Sequence, residues 1–232
     1  MMLVKDDIRE ISRQAAKAIL DHAHTLKDKE CIVLALPGGR SVKGIYEELS
    51  RSDDPVWKKI QIFLVDERAV PITDHESNFR LIKESFADKL IREGILPEEN
   101  LHPFIIDETA EDLGAARYTK ELERYGGMFD IAVVASGEDG HIAALFPRNA
   151  ALSVSGKKYL MIDDSPKPPA RRITSSVELI AGAGLLVIAF IGETKREAYG
   201  RFHDMDVSII DCPAKIVKKS RDPLIFKDIG ID

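Results

Sequence analysis

The amino-acid sequence predicts an α/β protein built on a mostly parallel sheet with helices on both faces. Four continuous apolar runs are each typical of a strand that is buried on both faces. Segments with the periodicity of amphipathic helices separate these runs, which indicates parallel strands joined by helical connections. No break in composition divides the chain, so we expect a single domain over residues 1–232.

The composition excludes several classes of protein. Hydrophobic residues at 44% and charged residues at 31% are typical of a soluble globular chain. A net charge of −6 argues against a nucleic-acid-binding protein, because neutralising many phosphates requires massed Lys and Arg. A small anionic ligand stays compatible with this charge, since a pocket needs only a few local cations.

The sequence also predicts a cytoplasmic protein without membrane contact. Its N-terminus is charged almost from the start and lacks the apolar core of a signal peptide. The longest apolar stretch, residues 179–192, is too short and too interrupted by glycine to span a bilayer. Cys31 and Cys212 have no metal-ligand or redox spacing, as expected in a reducing compartment.

The first half of the chain alternates helical and strand patterns. Apolar residues three and four positions apart predict an amphipathic helix over residues 6–25. A strand over 31–36 ends at a Pro-Gly-Gly turn, and a helix over 41–51 follows with Ser41 as its predicted cap. The run at 60–66 predicts the second buried strand.

The same alternation continues to the C-terminal region. Helical periodicity predicts helices over 79–90, 108–125 and 193–202. Apolar runs predict strong strands over 129–135 and 184–192 and a weaker strand near 100–106. The proline-rich segment 163–172 is predicted to be a loop lying over the surface.

Each of the four buried strands is followed by a polar loop that is rich in reactive or ligand-binding groups. Ligands of open α/β sheets bind beyond the carboxyl ends of the strands. We therefore expect the four loops to converge on one site. Their sequences are PGGRS (37–41), DERAVPITDHESN (66–78), SGEDGH (136–141) and GETK (192–195).

The glycines at 38 and 39 admit two interpretations. Between a strand and a helix, free backbone N–H groups and the helix dipole favour an anion. A tight turn that requires glycine is the alternative, and the spacing of a P-loop is absent. Lys195 near the start of a helix is unfavourable for the helix dipole, which favours a role in holding an anion.

His141 differs from the other histidines, because two glycines and two carboxylates flank it at the end of a strand. His22 and His24 lie two residues apart on a helix and face different directions, which argues against a metal site. The remaining histidines are predicted to be surface residues: His75, His102 and His203.

Three segments together resemble the 6-phosphogluconolactonases, a family within a wider group that includes glucosamine-6-phosphate deaminase. They are residues 56–86 with the DER loop, residues 129–147 with GEDGHIAALFP, and PPARRIT at 168–174. The resemblance implies a Rossmann-like fold and hydrolysis of 6-phosphogluconolactone to 6-phosphogluconate. It also implies a small phosphorylated sugar lactone as the partner, without a metal or an organic cofactor.

Lactone hydrolysis requires a base that activates water and donors for the oxyanion. An unperturbed imidazole, with a pKa of about 6.5, suits this task at neutral pH. We therefore expect His141 to be the general base. Asp139 is expected to orient the ring or to hold the loop, and Arg68 to contact the oxyanion or a sugar hydroxyl. By resemblance, the residues that bind the substrate and its phosphate are Gly38, Gly39, Arg40, Ser41, Asp66, Asn78, Arg172 and Lys195.

The sequence departs from the family pattern at three positions: Val42, Ser136 and Ala144. None of these departures removes a titrating group, so they bear on substrate fit more than on chemistry. Two alternatives stay open: a deaminase or isomerase of the glucosamine-6-phosphate type, and a non-catalytic sugar-phosphate sensor. The deaminase type typically has an acidic residue before the proline of this segment, and Ala144-Leu145-Phe146 supplies none. The sequence leaves the oligomeric state open.

Overall fold

A six-stranded sheet in which every pairing is parallel forms the centre of the structure. The structure is a computed structural model that describes residues 2–5, 7–221 and 223–230. The order across this sheet is β1-β9-β8-β5-β2-β3. Numbered in chain order, the strands are β1 (Met2–Lys5), β2 (Ile32–Leu36), β3 (Ile60–Leu64), β4 (Asp66–Arg68), β5 (Ile131–Ala135), β6 (Tyr159–Ile162), β7 (Arg172–Ser175), β8 (Leu185–Phe190) and β9 (Leu224–Lys227).

The helices lie between these strands. They are α1 (Ile8–Thr25), α2 (Lys43–Leu49), α3 (Asn78–Ile82), α4 (Asp88–Arg92), α5 (Ala115–Glu123), α6 (Val177–Ala181) and α7 (Arg196–His203). The Asp7 side chain caps α1, since it accepts hydrogen bonds from the N–H groups of Arg9 and Glu10 at 2.8 and 3.0 Å. One π-helical turn, Lys83–Ala87, joins α3 to α4.

Both faces of the parallel sheet are covered. All residues of β2, β3 and β8 are buried, so side chains pointing to either face are shielded from water. The continuous apolar runs of the sequence follow from this double burial. The predicted α/β class and mostly parallel sheet are confirmed.

Three predicted helix starts are wrong. The helix predicted over 193–202 begins at Arg196, after a 3₁₀ turn over Glu193–Lys195. Ser41 does not cap α2, because a 3₁₀ turn over Arg40–Val42 comes first and the α-helix begins at Lys43. The helix predicted over 108–125 is confined to Ala115–Glu123. The Asp112 carboxylate accepts from the N–H groups of Gly114 and Ala116, and this local bonding holds the preceding segment in turns.

The weak strand predicted near 100–106 is reduced to one bridge, between Leu101 and Ile62. His102, predicted to be a surface residue, is buried and stacks on Phe63 at a centroid distance of 4.3 Å. Its ring nitrogens lie 2.8 Å from Glu121 Oε1 and 2.9 Å from Gln61 Oε1. These partners come from distant parts of the chain, so local sequence gave no sign of them.

A second, antiparallel sheet was not predicted. Its strand order is β4-β7-β6. β4 follows β3 after one residue but pairs with β7, so the predicted strand over 60–66 is divided between two sheets. β7 begins at Arg172, so the predicted surface loop 163–172 ends in a buried strand.

Glu67 fixes the point where the chain leaves the parallel sheet. This side chain is buried at 1% exposure, and each carboxylate oxygen accepts two hydrogen bonds. The donors are the N–H groups of Arg68, Asn78 and Phe79 and the hydroxyl of Ser77, at 2.7–2.9 Å. Burial raises the pKa of Glu67, and these four donors oppose that shift. The carboxylate thus joins β4 to the start of α3.

Within the described ranges, no helix has the length and apolar character needed to cross a membrane.

We expect Glu67→Gln to destabilise the fold, because the amide NH₂ would face N–H groups that now donate to an oxygen. Each buried donor left unpaired costs roughly 1–3 kcal/mol in the free energy of unfolding. Chemical denaturation measures this loss. The control is Glu111→Gln at an exposed position, and a Glu67→Gln protein as stable as this control would contradict the role of Glu67.

Candidate functional site

The strand order creates a cleft at the carboxyl edge of the parallel sheet. From β2 the chain proceeds to β3 on one side, whereas β5, β8 and β9 follow on the other. The order therefore switches direction between β2 and β5, the position at which open α/β sheets bind ligands. A cleft of about 350 Å³ lies there, lined by the loops that follow β2, β3, β5 and β8.

The structure brings the predicted site residues together. Asp139 lies behind His141 and is the one predicted residue that does not line the cleft. The other ten line it: Gly38, Gly39, Arg40, Ser41, Asp66, Arg68, Asn78, His141, Arg172 and Lys195.

His141 and Asp139 form a hydrogen-bonded pair. His141 Nδ1 lies 2.5 Å from Asp139 Oδ1, and the His141 main-chain N–H donates to the same oxygen at 3.2 Å. The imidazole packs against the ring of Phe146 at a centroid distance of 4.6 Å, and its side chain is 16% exposed. This arrangement fixes the ring and leaves Nε2 as the nitrogen available to the cleft.

Asp139 is a carboxylate over the whole physiological pH range. Its partial burial acts to raise the pKa, but the hydrogen bond and charge of His141 outweigh burial and bring the pKa to about 2. Because this pKa lies below the ordinary value, the pairing is present at neutral pH and is lost only as the pH falls through about 2.

The loop that carries this pair is supported from the C-terminal part of the chain. Gly140 has φ +83°, and its carbonyl oxygen accepts from the N–H of Ala214 at 2.8 Å. A Cβ on Gly140 would lie 2.8 Å from Cys212 Sγ, so the loop and residue 212 are in close contact. Gly140 is therefore required by its left-handed backbone and by the proximity of Cys212.

The loop after β2 approaches Asn78. A Cβ on Gly38 would overlap the Asn78 side-chain amide. Asn78 Nδ2 donates to the main-chain oxygen of Asp66 at 2.9 Å, whereas its buried Oδ1 has no protein partner among the described residues. Gly38 thus allows close packing of two loops, which accords with the tight-turn interpretation as well as with the anion interpretation.

Gly39 and Gly192 turn the chain in the same way. Both have φ +93°, and each precedes a 3₁₀ turn that leads into a helix, Arg40–Val42 before α2 and Glu193–Lys195 before α7. The first N–H groups of such a turn have no acceptor within the helix. Since β2 and β8 flank β5, one such turn lies on each side of the loop that contains His141.

Asp66 is a buried carboxyl between two arginines. Burial raises its pKa, and the charges of Arg68 and Arg172 oppose this shift. Arg68 Nη1 donates to the main-chain oxygen of Glu76 at 2.5 Å and lies 3.3 Å from its carboxylate. The buried Arg68 Nε has no protein partner in the described part of the chain.

Arg172 is buried, in contrast to the exposed Arg171 beside it. Its Nε and Nη2 donate to the main-chain oxygens of Pro169 and Lys167 at 3.1 and 3.0 Å. Burial lowers the pKa of Arg172. The guanidinium therefore holds the 167–169 segment against the cleft, a function that its type and position in the sequence did not reveal.

Lys195 is paired at the rim of the cleft. Its Nζ lies 3.5 Å from Glu138 Oε1, with side-chain exposures of 15% and 57% respectively. The Thr194 hydroxyl and the Lys195 ammonium group lower the pKa of the Glu138 carboxyl. Lys195 is thus held in the cleft by a carboxylate that water can also solvate.

Four lining residues lie outside the predicted loops and were not among the predicted site residues: Ala135, Ala143, Lys167 and Pro168. Four others lie within loops that were predicted to converge, although no individual function was predicted for them: Pro37, Ser136, Gly137 and Glu138. The signal for Lys167 was present, as a lysine between prolines in a loop close to the PPARRIT motif. Ala143 gave no signal, because its position depends on a left-handed backbone with φ +51°. Among the described residues, no group of three or more His, Cys, Asp or Glu side chains is arranged to hold a metal ion.

The fold and the cleft define an α/β protein with a small-molecule site at the switch point of a parallel sheet. A family model for glucosamine-6-phosphate isomerases/6-phosphogluconolactonase matches residues 6–226. The chain therefore belongs to this family.

Named relatives agree with this assignment. The 6-phosphogluconolactonase of Borreliella burgdorferi is 31% identical over 206 residues, covering 89% of this chain and 87% of the relative. The 6-phosphogluconolactonase of Synechocystis is 30% identical over 192 residues, covering 80% and 77%. The solved 6-phosphogluconolactonase of Thermotoga maritima superposes with a TM-score of 0.80 over 98% of both chains, and its 24% identity supports the likeness in fold.

We expect Gly140→Ala to destabilise the protein more than Gly94→Ala. Both glycines have positive φ, but an added Cβ meets Cys212 Sγ at position 140 and meets nothing within 4 Å at position 94. A left-handed backbone costs about 1–2 kcal/mol with a side chain, and overpacking adds roughly 1–3 kcal/mol at position 140 alone. Equal losses in the free energy of unfolding would show that Cys212 does not constrain the loop.

Proposed function

We propose that this chain hydrolyses 6-phosphogluconolactone to 6-phosphogluconate. The observation that carries the proposal is the Asp139–His141 pair at the carboxyl end of β5, within a cleft whose neighbouring loops supply cations. An oriented imidazole can activate water, and cations in the same cleft can stabilise the oxyanion and bind the phosphate of a phosphorylated lactone. The likeness to enzymes named 6-phosphogluconolactonase supports the same reaction.

In the proposed reaction His141 removes a proton from water as the water attacks the lactone carbonyl. Asp139 accepts a hydrogen bond from Nδ1–H, so the proton from water is taken up at Nε2. The Asp139 carboxylate also stabilises the imidazolium that forms. The resulting tetrahedral oxyanion collapses with cleavage of the ring C–O bond, and the His141 imidazolium returns its proton to the leaving ring oxygen, which becomes the hydroxyl of the open acid.

Arg68 is proposed to face the reacting end of the sugar. Its Nη1 is held by Glu76, while Nε is buried without a protein partner among the described residues. A buried N–H group without a partner is unfavourable, so a ligand atom that accepts its hydrogen bond contributes to the free energy of binding. The oxyanion and a sugar hydroxyl both satisfy this requirement, and Asp66 and Asn78 are proposed to bind further hydroxyls of the sugar.

The phosphate is proposed to bind where β2 ends. The Gly38–Gly39 turn permits close approach to N–H groups of Arg40 and Ser41, and Lys195 reaches the same cleft from the loop after β8. Arg172 contributes positive charge there, although two of its nitrogens are engaged by the 167–169 segment. Lys167, the first residue of this segment, also lines the cleft, and its ammonium group is proposed to add to the cradle.

The proposal favours the lactonase over the deaminase of the same family. Ala144, Leu145 and Phe146 are buried apolar residues, so the segment after His141 presents no carboxyl group. The proposed chemistry draws on side chains alone and includes neither a metal ion nor an organic cofactor. We further propose a cytoplasmic enzyme, acting as a single domain on a small phosphorylated lactone and binding no nucleic acid.

We expect His141→Ala to lower kcat by about 10²–10⁴-fold, the usual contribution of a positioned general base. The measurement is a pH-stat assay on freshly prepared 6-phosphogluconolactone, with the spontaneous rate subtracted. His75→Ala is the control, because this histidine is 81% exposed and lies outside the cleft. A folded His141→Ala protein with normal kcat would remove His141 from the mechanism.

We expect Lys195→Met to raise KM for the phosphorylated lactone by about 10–100-fold, since a charge-assisted hydrogen bond contributes roughly 1.5–3 kcal/mol. Hydrolysis of plain gluconolactone, which has no phosphate, should hardly change. Lys219→Met, at an exposed position outside the cleft, is the control. If the activity on both lactones fell equally, Lys195 would act at the reacting carbonyl or stabilise the fold, and would not bind the phosphate.

A further inference from the structure

An arginine outside the cleft holds the loop that carries the catalytic pair. Arg201 lies on α7, and its Nη1 donates to the main-chain oxygen of Asp139 at 3.1 Å. Its Nη2 donates to the main-chain oxygen of Asp211. Arg201 does not line the cleft, so its guanidinium touches the partner of the proposed base and leaves the ligand space free.

We infer that Arg201 is a positioning residue that sets the orientation of Asp139 and, through it, of the His141 ring. This inference rests on the proposed function, in which His141 is the base. Asp139 Oδ1 accepts from both Nδ1 and the main-chain N–H of His141, so the geometry of the pair depends on the backbone at residue 139.

The backbone at residue 139 is restrained from within the loop and from outside it. The peptide group between Asp139 and Gly140 precedes a glycine with φ +83°, and glycine opposes rotation of an adjacent peptide less than other residues do. Two hydrogen bonds hold this peptide group itself: Arg201 Nη1 donates to the oxygen of residue 139, and the Gly140 N–H donates to the Gly137 oxygen at 3.1 Å within the loop. A third, from the Ala214 N–H to the oxygen of residue 140, holds the following peptide group. Arg201 is the one side chain among these partners, and it acts on the Asp139 oxygen from outside the loop.

The two-pronged guanidinium of an arginine suits this position. The two carbonyl oxygens belong to segments far apart in the chain, and the planar guanidinium donates to one from Nη1 and to the other from Nη2. The second segment is itself anchored, because Asp211 accepts from Arg148 Nε at 2.9 Å and from Ser208 Oγ at 2.8 Å. Arg201 thereby ties the catalytic loop to a fixed support.

The first test compares Arg201→Met with Arg201→Lys and with Arg196→Met. Arg196 lies on the same helix, is exposed and pairs with Glu193, so its loss should leave the lactonase rate unchanged. We expect Arg201→Met to lower kcat by about tenfold while KM for the phosphorylated lactone stays within about twofold, since misorientation of a catalytic group weakens chemistry more than binding. Arg201→Lys, which keeps the charge and one donor, should lie between wild type and Arg201→Met.

A double-mutant cycle with Asp139→Asn separates positioning from general stability. If Arg201 acts through Asp139, then Arg201→Met should lower kcat by less than about twofold when Asp139 is already Asn. A loss of the same size in both backgrounds would overturn the inference. Failure of both Arg201 variants to fold, or equal change of kcat and KM, would assign Arg201 to the fold and would overturn it equally.

The orientation of the His141 ring can also be measured without an activity assay, so the inference about Arg201 can be tested separately from the proposed function. Nitrogen NMR of the His141 ring, assigned by comparison with His141→Gln, should show the proton on Nδ1 in the wild type and a mixture of tautomers in Arg201→Met. A wild-type protein that does not hydrolyse the lactone would refute the proposed function, and the NMR comparison would still decide whether Arg201 orients the ring. Unchanged ring signals in Arg201→Met would overturn the inference.

Discussion

The position of β5 between β2 and β8 in a parallel sheet is the constraint on which the site depends. Parallel strands all end at the same edge, so the loops after these three strands meet although they are far apart in the chain. β5 delivers His141, β2 delivers the Gly38–Gly39 turn, and β8 delivers Lys195. The turns after β2 and β8 have the same glycine conformation, with φ +93° at Gly39 and Gly192. A different strand order with the same elements would scatter these groups.

Carboxylates that are adjacent in the sequence have different functions because their surroundings differ. Glu67 accepts four hydrogen bonds and serves the fold, whereas the adjacent Asp66 lines the cleft between two arginines. Asp139 serves the site from outside the cleft, through the ring of His141. The arginines divide in the same way, since Arg172 donates to the 167–169 segment and Arg201 donates to the main-chain oxygen of Asp139. The residue type alone does not distinguish these functions.

Much of the site could be predicted from local patterns. A buried parallel strand is apolar along its whole length, so the polar residues after it stand out, and this contrast located His141, Asp66 and Lys195. The antiparallel sheet of β4, β7 and β6 escaped prediction because its strands are short and gain their pairing from distant partners. His102 was misjudged for the same reason, since Gln61, Glu121 and Phe63 surround it only after folding.

The sequence by itself determined the α/β class, the four principal strands and the chemical groups at their ends, because these depend on local hydrophobic periodicity and on residue type. Only the tertiary structure decided that Arg172 is buried, that Ser41 does not cap α2 and that Asp139 stands behind His141. It also decided that Arg201 and Cys212, from the C-terminal part of the chain, lie against the loop that contains Asp139 and His141. Such contacts join residues that are remote in sequence, and their geometry is fixed by packing, which no local pattern encodes.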